Sequence, residues 1–159
     1  ATSEGGGGAV VHYGAIRNTT LEFNAAASQY AYYTGGGGLL LDLGAVAENC
    51  RIISNTAYTA GGGVFLGGTG CILRDSTVSG NMVTSHQQSY GGGIFSMGGV
   101  SLAGSTVTEN MASSYDGQAI GGGILSAGVV SLVNSNISGN TAAVGAGVVA
   151  APSALVSPP

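Results

Sequence analysis

The sequence predicts an all-β chain wound as a right-handed parallel β-helix, a three-sided solenoid. Three observations carry that prediction. Glycine triplets recur through the chain, an asparagine follows each at a near-constant distance, and short runs of β-forming residues fill the space between. The pattern is plainest in "YGGGIFSMGGVSLAGSTVTEN" (90–110) and its restatement "IGGGILSAGVVSLVNSNISGN" (120–140).

Glycine triplets in register begin at Gly6, Gly36, Gly61, Gly91 and Gly121, the first two preceded by one more glycine, with a weaker "GAG" at Gly145. The steps Gly8–Asn24, Gly38–Asn55, Gly63–Asn81, Gly93–Asn110 and Gly123–Asn140 are 16, 17, 18, 17 and 17 residues. From each asparagine to the next cluster the distance is 12, 6, 10, 11 and 5 residues, so one arc of the period is fixed and the other varies. Such a period denotes stacked supersecondary units. Five full coils and a partial sixth are expected, forming one β-helix domain over residues 1–151, with 152–159 as a Pro/Ser tail or linker.

The first strand of each coil follows the glycines: "AVVHY", "LLLDL", "GVFLG", "GIFSM", "GILSA" and "GVVAA". A second set reads "AIR", "AVAE", "CILR", "VSLA" and "VSLV", and a third "TLEFN", "RIISN", "TVSGN", "TVTEN" and "NISGN". Helix is a poor alternative, since each glycine in a helix interior costs about 1 kcal/mol. A sandwich needs longer strands and hairpin signals such as Asn-Gly.

Aligned on the asparagines, Leu73, Leu102 and Leu132 share a column, as do Val78, Val107 and Ile137 with Ile52 and Leu21. Hydroxyl columns (Ser101 and Ser131; Ser79, Thr108 and Ser138) alternate with them at period two, which places the apolar columns inward. Coils about 4.8 Å apart make each column a ladder of like residues. Asn24, Asn55, Asn81, Asn110 and Asn140 are expected to stack at one corner, because a side-chain amide supplies both donors and an acceptor to a turn that lacks partners. Asn18, Asn49, Asp75 and Asn134 form a second such column, interrupted at Gly104.

"GGGI" followed by a strand triplet and "STVSGNMV" or "SNISGNTA" resembles the right-handed β-helix repeats of the polymorphic outer-membrane-protein and autotransporter-adhesin type. Similar repeats occur in secreted bacterial and algal proteins. The resemblance spans about Gly6 to Ala150 and implies a secreted or cell-surface structural module. The phenylalanine-x-x-asparagine tetrapeptide of the chlamydial pattern is absent from these repeats.

Composition bounds the chemistry. The chain has 159 residues, no lysine, three arginines, seven acids, two histidines and 31 glycines, for a net charge of −4. That balance excludes a nucleic-acid footprint, which needs a basic stripe. No apolar run is long enough for a bilayer-spanning helix. "ATSEGGGG" carries neither the basic nor the apolar region of a secretory signal, so a mature form or an excised fragment is expected. Charged residues are only 6%, against roughly 25% in ordinary soluble domains, which suggests a surface that is covered, glycosylated or assembled.

Parallel β-helices also host polysaccharide-cleaving enzymes, which need clustered carboxylates, a base or bound calcium. Here the acids fall mostly in different columns. The best pair is His12 with Asp42, one coil apart on an outward face, and it reads as a solvated polar pair. No catalytic residues, metal ligands or cofactor are assigned, and the chain is not expected to be an enzyme. Arg17, Glu48 and Arg74 share a column and are expected to form an outward ion-pair stack contributing about 0–1 kcal/mol per pair.

Cys50 lies five residues before its asparagine and Cys71 ten before its own. That offset is roughly 15 Å along a strand at about 3.3 Å per residue, beyond the ~7 Å limit for a bridge. No disulfide is expected.

Two features rise above scaffold. The variable arcs hold Tyr30, Tyr32, Tyr33, Tyr58, Tyr90 and Tyr115, a candidate edge for binding proteins or glycans. An outward column of Val10, Leu40, Phe65, Phe95, Leu125 and Val149 makes an apolar stripe, a candidate for lateral assembly or for a covering segment. "NTT" at Asn18 and "NIS" at Asn136 are N-glycosylation sequons. The expectation is an extracellular structural or adhesive module, a protomer of a surface filament, whose partners are other chains, copies of itself or glycans. The alternatives are a carbohydrate-binding or carbohydrate-cleaving solenoid using the tyrosine edge and, behind it, ice binding through a threonine face begun by Thr77 and Thr106.

Overall fold

A strand of three or four residues makes too few hydrogen bonds to stand alone, so such strands persist only by pairing on both sides. The computed structural model describes residues 7–26 and 35–150. Gly6, Tyr30, Tyr32, Tyr33 and the 152–159 tail lie outside the described residues. Within them the chain is an all-β parallel β-solenoid, with no helix.

The first coil comprises β1 (Ala9–His12), β2 (Ala15–Arg17), β3 (Thr20–Glu22) and β4 (Ala25–Ala26). The second repeats this as β5 (Leu39–Asp42), β6 (Val46–Glu48), β7 (Arg51–Ile53) and β8 (Thr56–Ala57). The third holds β9 (Val64–Leu66), β10 (Ile72–Arg74), β11 (Thr77–Ser79), β12 (Met82–Ser85) and β13 (Ser89–Tyr90). The fourth holds β14 (Ile94–Ser96), β15 (Val100–Ala103), β16 (Thr106–Thr108), β17 (Met111–Ser114) and β18 (Ala119–Ile120). Then follow β19 (Ile124–Ser126), β20 (Val130–Val133) and β21 (Asn136–Ser138), and β22 (Val148–Ala150) opens a sixth coil.

Equivalent strands pair in the register that the asparagine alignment predicts. Leu73 opposes Leu102 and Leu102 opposes Leu132; Val78 opposes Val107 and Val107 opposes Ile137. The main sheets contain six, five, five and four strands.

Two details differ from the three-sided, five-coil expectation. The residues after each asparagine form a fourth sheet, β4, β8, β12 and β17. Their inward side chains Ala26, Ala57 and Val83 make a small buried cluster of their own. In addition, that sheet has no fifth strand among the described residues, and Met111 only bridges to Thr141. Four turns are therefore complete on all four sides.

The main core runs up the axis and includes Leu39, Leu41, Ile52, Leu66, Leu73, Val78, Ile94, Leu102, Val107 and Ile124, all 0% exposed. Cys50 and Cys71 are buried in it as free thiols, as the offset between their columns requires.

The sequence leaves lateral assembly and a covering segment open for the apolar stripe, and in the structure the chain itself covers it. Val10, Leu40, Phe65, Phe95, Leu125 and Val149 do share one column on the outer face of the first sheet. Yet Leu40, Phe65, Phe95 and Leu125 are buried, in a second cluster with Ala60, against which Tyr90, Ile120 and Val149 pack. Only Val10, on the first coil, is exposed. The cause is the first glycine of each triplet. Gly36, Gly61, Gly91, Gly121 and Gly145 all have positive φ, between 59° and 71°. That left-handed turn, which glycine adopts without a Cβ clash, folds the preceding residue back over the sheet. Gly35, Ala60, Tyr90, Ile120 and Val144 thus form a parallel ladder over the stripe. A Cβ on Gly35 would overlap the Phe65 ring. The chain covers its own stripe.

Candidate functional site

The asparagine corner is the most completely determined constellation. Asn24, Asn55, Asn81 and Asn110 each use the backbone N–H and the Nδ2 to donate to Oδ1 of the asparagine one coil on. For Asn81 to Asn110 these distances are 3.0 and 2.9 Å. The second Nδ2 hydrogen reaches back to a carbonyl of the preceding coil: Asn81 to Ile52, Asn110 to Val78 and Asn140 to Val107. Every Oδ1 in the middle of the ladder therefore accepts two bonds and every amide donates two. This satisfies a buried polar column that would otherwise be costly. Asn55, Asn81 and Asn110 are 0–1% exposed, while Asn24 and Asn140, at the ends, are half-buried.

The third glycine of each triplet leaves room for that ladder. A Cβ at Gly63 would lie 2.8 Å from Asn81 Nδ2, and one at Gly93 would lie 2.9 Å from Asn110 Nδ2. The second glycine lets two backbones approach: Gly62 faces the Met82 carbonyl and Gly92 the Met111 carbonyl.

The second asparagine column has a different role. Asn18, Asn49, Asp75 and Asn134 have φ of 49–51°, and Gly104 has 61°. These are left-handed turn positions, which Asn and Asp tolerate better than other residues. Asn49 Nδ2 donates to Asn18 Oδ1 at 2.7 Å on an exposed corner.

One residue beyond each of Asn49, Asp75, Gly104 and Asn134 stands a second bonded ladder, made of Cys50, Ser76, Ser105 and Ser135. The N–H groups of Cys50, Ser76 and Ser105 donate to Oγ of Ser76, Ser105 and Ser135, at 3.0, 3.2 and 3.1 Å. The hydroxyls then donate to the carbonyls of Arg74, Ala103 and Val133. Cys50 closes the series, its Sγ reaching the Glu48 carbonyl at 3.3 Å. The signal for it was serine recurring at one offset inside an apolar context.

The ion pairs lie on the outer faces. His12 Nδ1 stands 3.6 Å from Asp42 Oδ2, one coil apart. A second pair that the sequence did not reveal joins His86 Nδ1 to Asp116 Oδ2 at 3.9 Å. His86 also stacks on Tyr115, with centroids 5.1 Å apart. The unequal arc lengths hide this register. Arg17, Glu48 and Arg74 form the expected stack, with Arg17 Nε 2.8 Å and Arg74 Nη1 3.7 Å from the Glu48 carboxylate. The Arg17 hydrogen bond holds the Glu48 carboxyl below its usual range; desolvation opposes this, and the charges of Arg17 and Arg74 add to it. Among the described residues no three His, Cys, Asp or Glu side chains converge on a metal-sized site.

Of the tyrosine edge, Tyr115 is 72% exposed. Tyr58 is half-buried beside a shallow cleft of about 250 Å³ lined also by Ala26, Thr56, Ala57, Met82 and Thr84. Tyr90 packs on Phe95 with centroids 6.0 Å apart, so it covers the stripe. Both sequon asparagines, Asn18 and Asn136, are exposed.

Comparison of the chain with protein-family models, curated proteins and solved structures gave no match.

Proposed function

We propose that the chain is a structural or adhesive module of the extracellular surface. One observation carries this reading: the buried polar side chains are directed at the fold itself. Asn55, Asn81, Asn110, Ser76 and Ser105 tie one coil to the next, while Ser96 and Ser126 close turns within a coil. A structure so committed is a rigid spacer presenting its loops. The likeness of its repeats to the polymorphic outer-membrane-protein and autotransporter-adhesin type supports the same reading, as does a surface poor in charge. The partners it suits are another protein chain, a second copy or a glycan. A filament joined through the Phe65–Phe95 stripe is not part of the proposal, since the chain covers those rings itself.

The test is localisation of the native protein by antibody, with electron microscopy of the material recovered. The reading expects it outside the cell, in the wall or matrix fraction. Confinement to the cytoplasm would overturn it.

A second reading has its own observation. Tyr115, stacked on His86 beside Asp116, presents an exposed ring next to hydrogen-bonding groups, an arrangement suited to a sugar face. Glycan-array binding that is lost in Tyr115→Ala would favour it.

A further inference from the structure

We propose that Asn136 carries an N-linked oligosaccharide and that this glycan shields the strand on which it sits, β21, an edge strand of its sheet among the described residues. The proposal rests on the extracellular reading above. The sequon Asn136-Ile137-Ser138 is the whole of β21. Strand alternation turns Ile137 toward the core and leaves Asn136 and Ser138 exposed on the outer face. Asn136 Nδ2 donates to Ser138 Oγ at 3.2 Å.

The contrast with the ladder asparagines is chemical. Asn55, Asn81 and Asn110 have both amide hydrogens engaged in the interior, and none of them begins a sequon. In the same outward column as Asn136 the inner coils carry Thr106, Thr77 and Arg51. Within this column an asparagine appears only on β21, where the strand ends the sheet among the described residues.

β21 pairs with β16 on one side, and among the described residues no strand pairs with its other edge. On β20, the preceding strand of the same coil, Leu132 and Val133 are 44% and 54% exposed. An unpaired strand edge with apolar neighbours invites pairing between copies, and proteins usually blunt such edges with charge. This chain has 6% charged residues and no lysine. A hydrated oligosaccharide rooted on the edge strand meets the same need by bulk and solvation.

The attachment balances as a transfer from a polyprenyl-diphosphate-linked oligosaccharide. The anomeric C–O bond to the diphosphate breaks, a bond from the anomeric carbon to Asn136 Nδ2 forms, one amide proton is released, and the polyprenyl diphosphate leaves. The Ser138 hydroxyl is the sequon's third-position requirement.

The experiment takes protein from its producing cells and treats it with a peptide N-glycosidase in heavy-oxygen water. Peptide mass spectrometry should find Asn136 converted to heavy-labelled Asp. In parallel, Ser138→Ala and Asn136→Thr proteins from the same cells are compared with the parent by sedimentation velocity. Both variants should lose the glycan and shift to larger species, and Asn136→Thr restores the residue type of the inner coils. Protein found outside the cell with Asn136 unmodified overturns this proposal and leaves the extracellular reading standing. Protein found only inside overturns both. A glycosylated parent whose variants stay equally dispersed overturns the shielding role.

Discussion

Leu102 and Leu132 are the same residue in the same column, one coil apart, yet Leu102 is 0% exposed and Leu132 is 44%. Val107 and Ile137 differ in the same way, as do Asn110 and Asn140. No difference in side chain or in strand accounts for this. In a solenoid each coil is the lid of the one before it, so burial is conferred by the neighbour. The last described coils also relax their sequence. Ala146 stands where the other triplets have their second glycine, and a Cβ at Gly147 would meet nothing within 4 Å.

The largest test of that difference is truncation of the leucines. Leu102→Ala should cost about 2–5 kcal/mol, the range for a large-to-small change in a packed core. Leu132→Ala should cost well under half as much, since much of its apolar area is already in water. Urea denaturation midpoints of the two variants measure this, and equal losses would mean that something covers the last rung.

Glycine to alanine sharpens the comparison at one atom. Gly93→Ala places a Cβ against the Asn110 amide and the Gly123 carbonyl and should cost about 1–3 kcal/mol by overpacking. Gly147→Ala, in the same column, should be neutral in thermal unfolding.

The asparagines follow. Asn110→Ala leaves the Asn81 backbone N–H and Nδ2 without their acceptor and should cost about 1–3 kcal/mol. Asn140→Ala should cost less, because water reaches that rung. Amide hydrogen exchange at Asn81, compared with Asn110, would show which donor has been released.

The smallest effect belongs to the exposed ion stack. Glu48 has a depressed folded-state pKa, so its contribution is present above the ordinary carboxylate value of 4.5. It is lost as pH falls from there through the lower folded value. Glu48→Gln should therefore lower the melting temperature slightly at neutral pH, and the difference from the parent should vanish in acid and shrink with added salt.

Much of the candidate site was legible because register was legible. Counting from the glycine triplets aligns His12 with Asp42 and the six stripe residues with one another, and counting back from the asparagines aligns Arg17 with Glu48 and Arg74. The His86–Asp116 pair was not legible, because it lies in the arcs, whose length changes from coil to coil. Nor was the bonding of the serine column, since a serine at a fixed offset does not say which way its hydroxyl points.

By itself the sequence determined the period, the parallel stacking, the inward columns and the asparagine ladder, because each follows from strand alternation and from repetition at one interval. Only the tertiary structure decided what covers what. Whether Phe65 and Phe95 face water depends on a positive-φ turn at Gly61 and Gly91 that lays Ala60 and Tyr90 across them. Whether Leu132 does depends on a coil above it. Alternation sets which side of a strand a residue takes, but burial needs a second surface, and where that surface lies is a property of the whole winding.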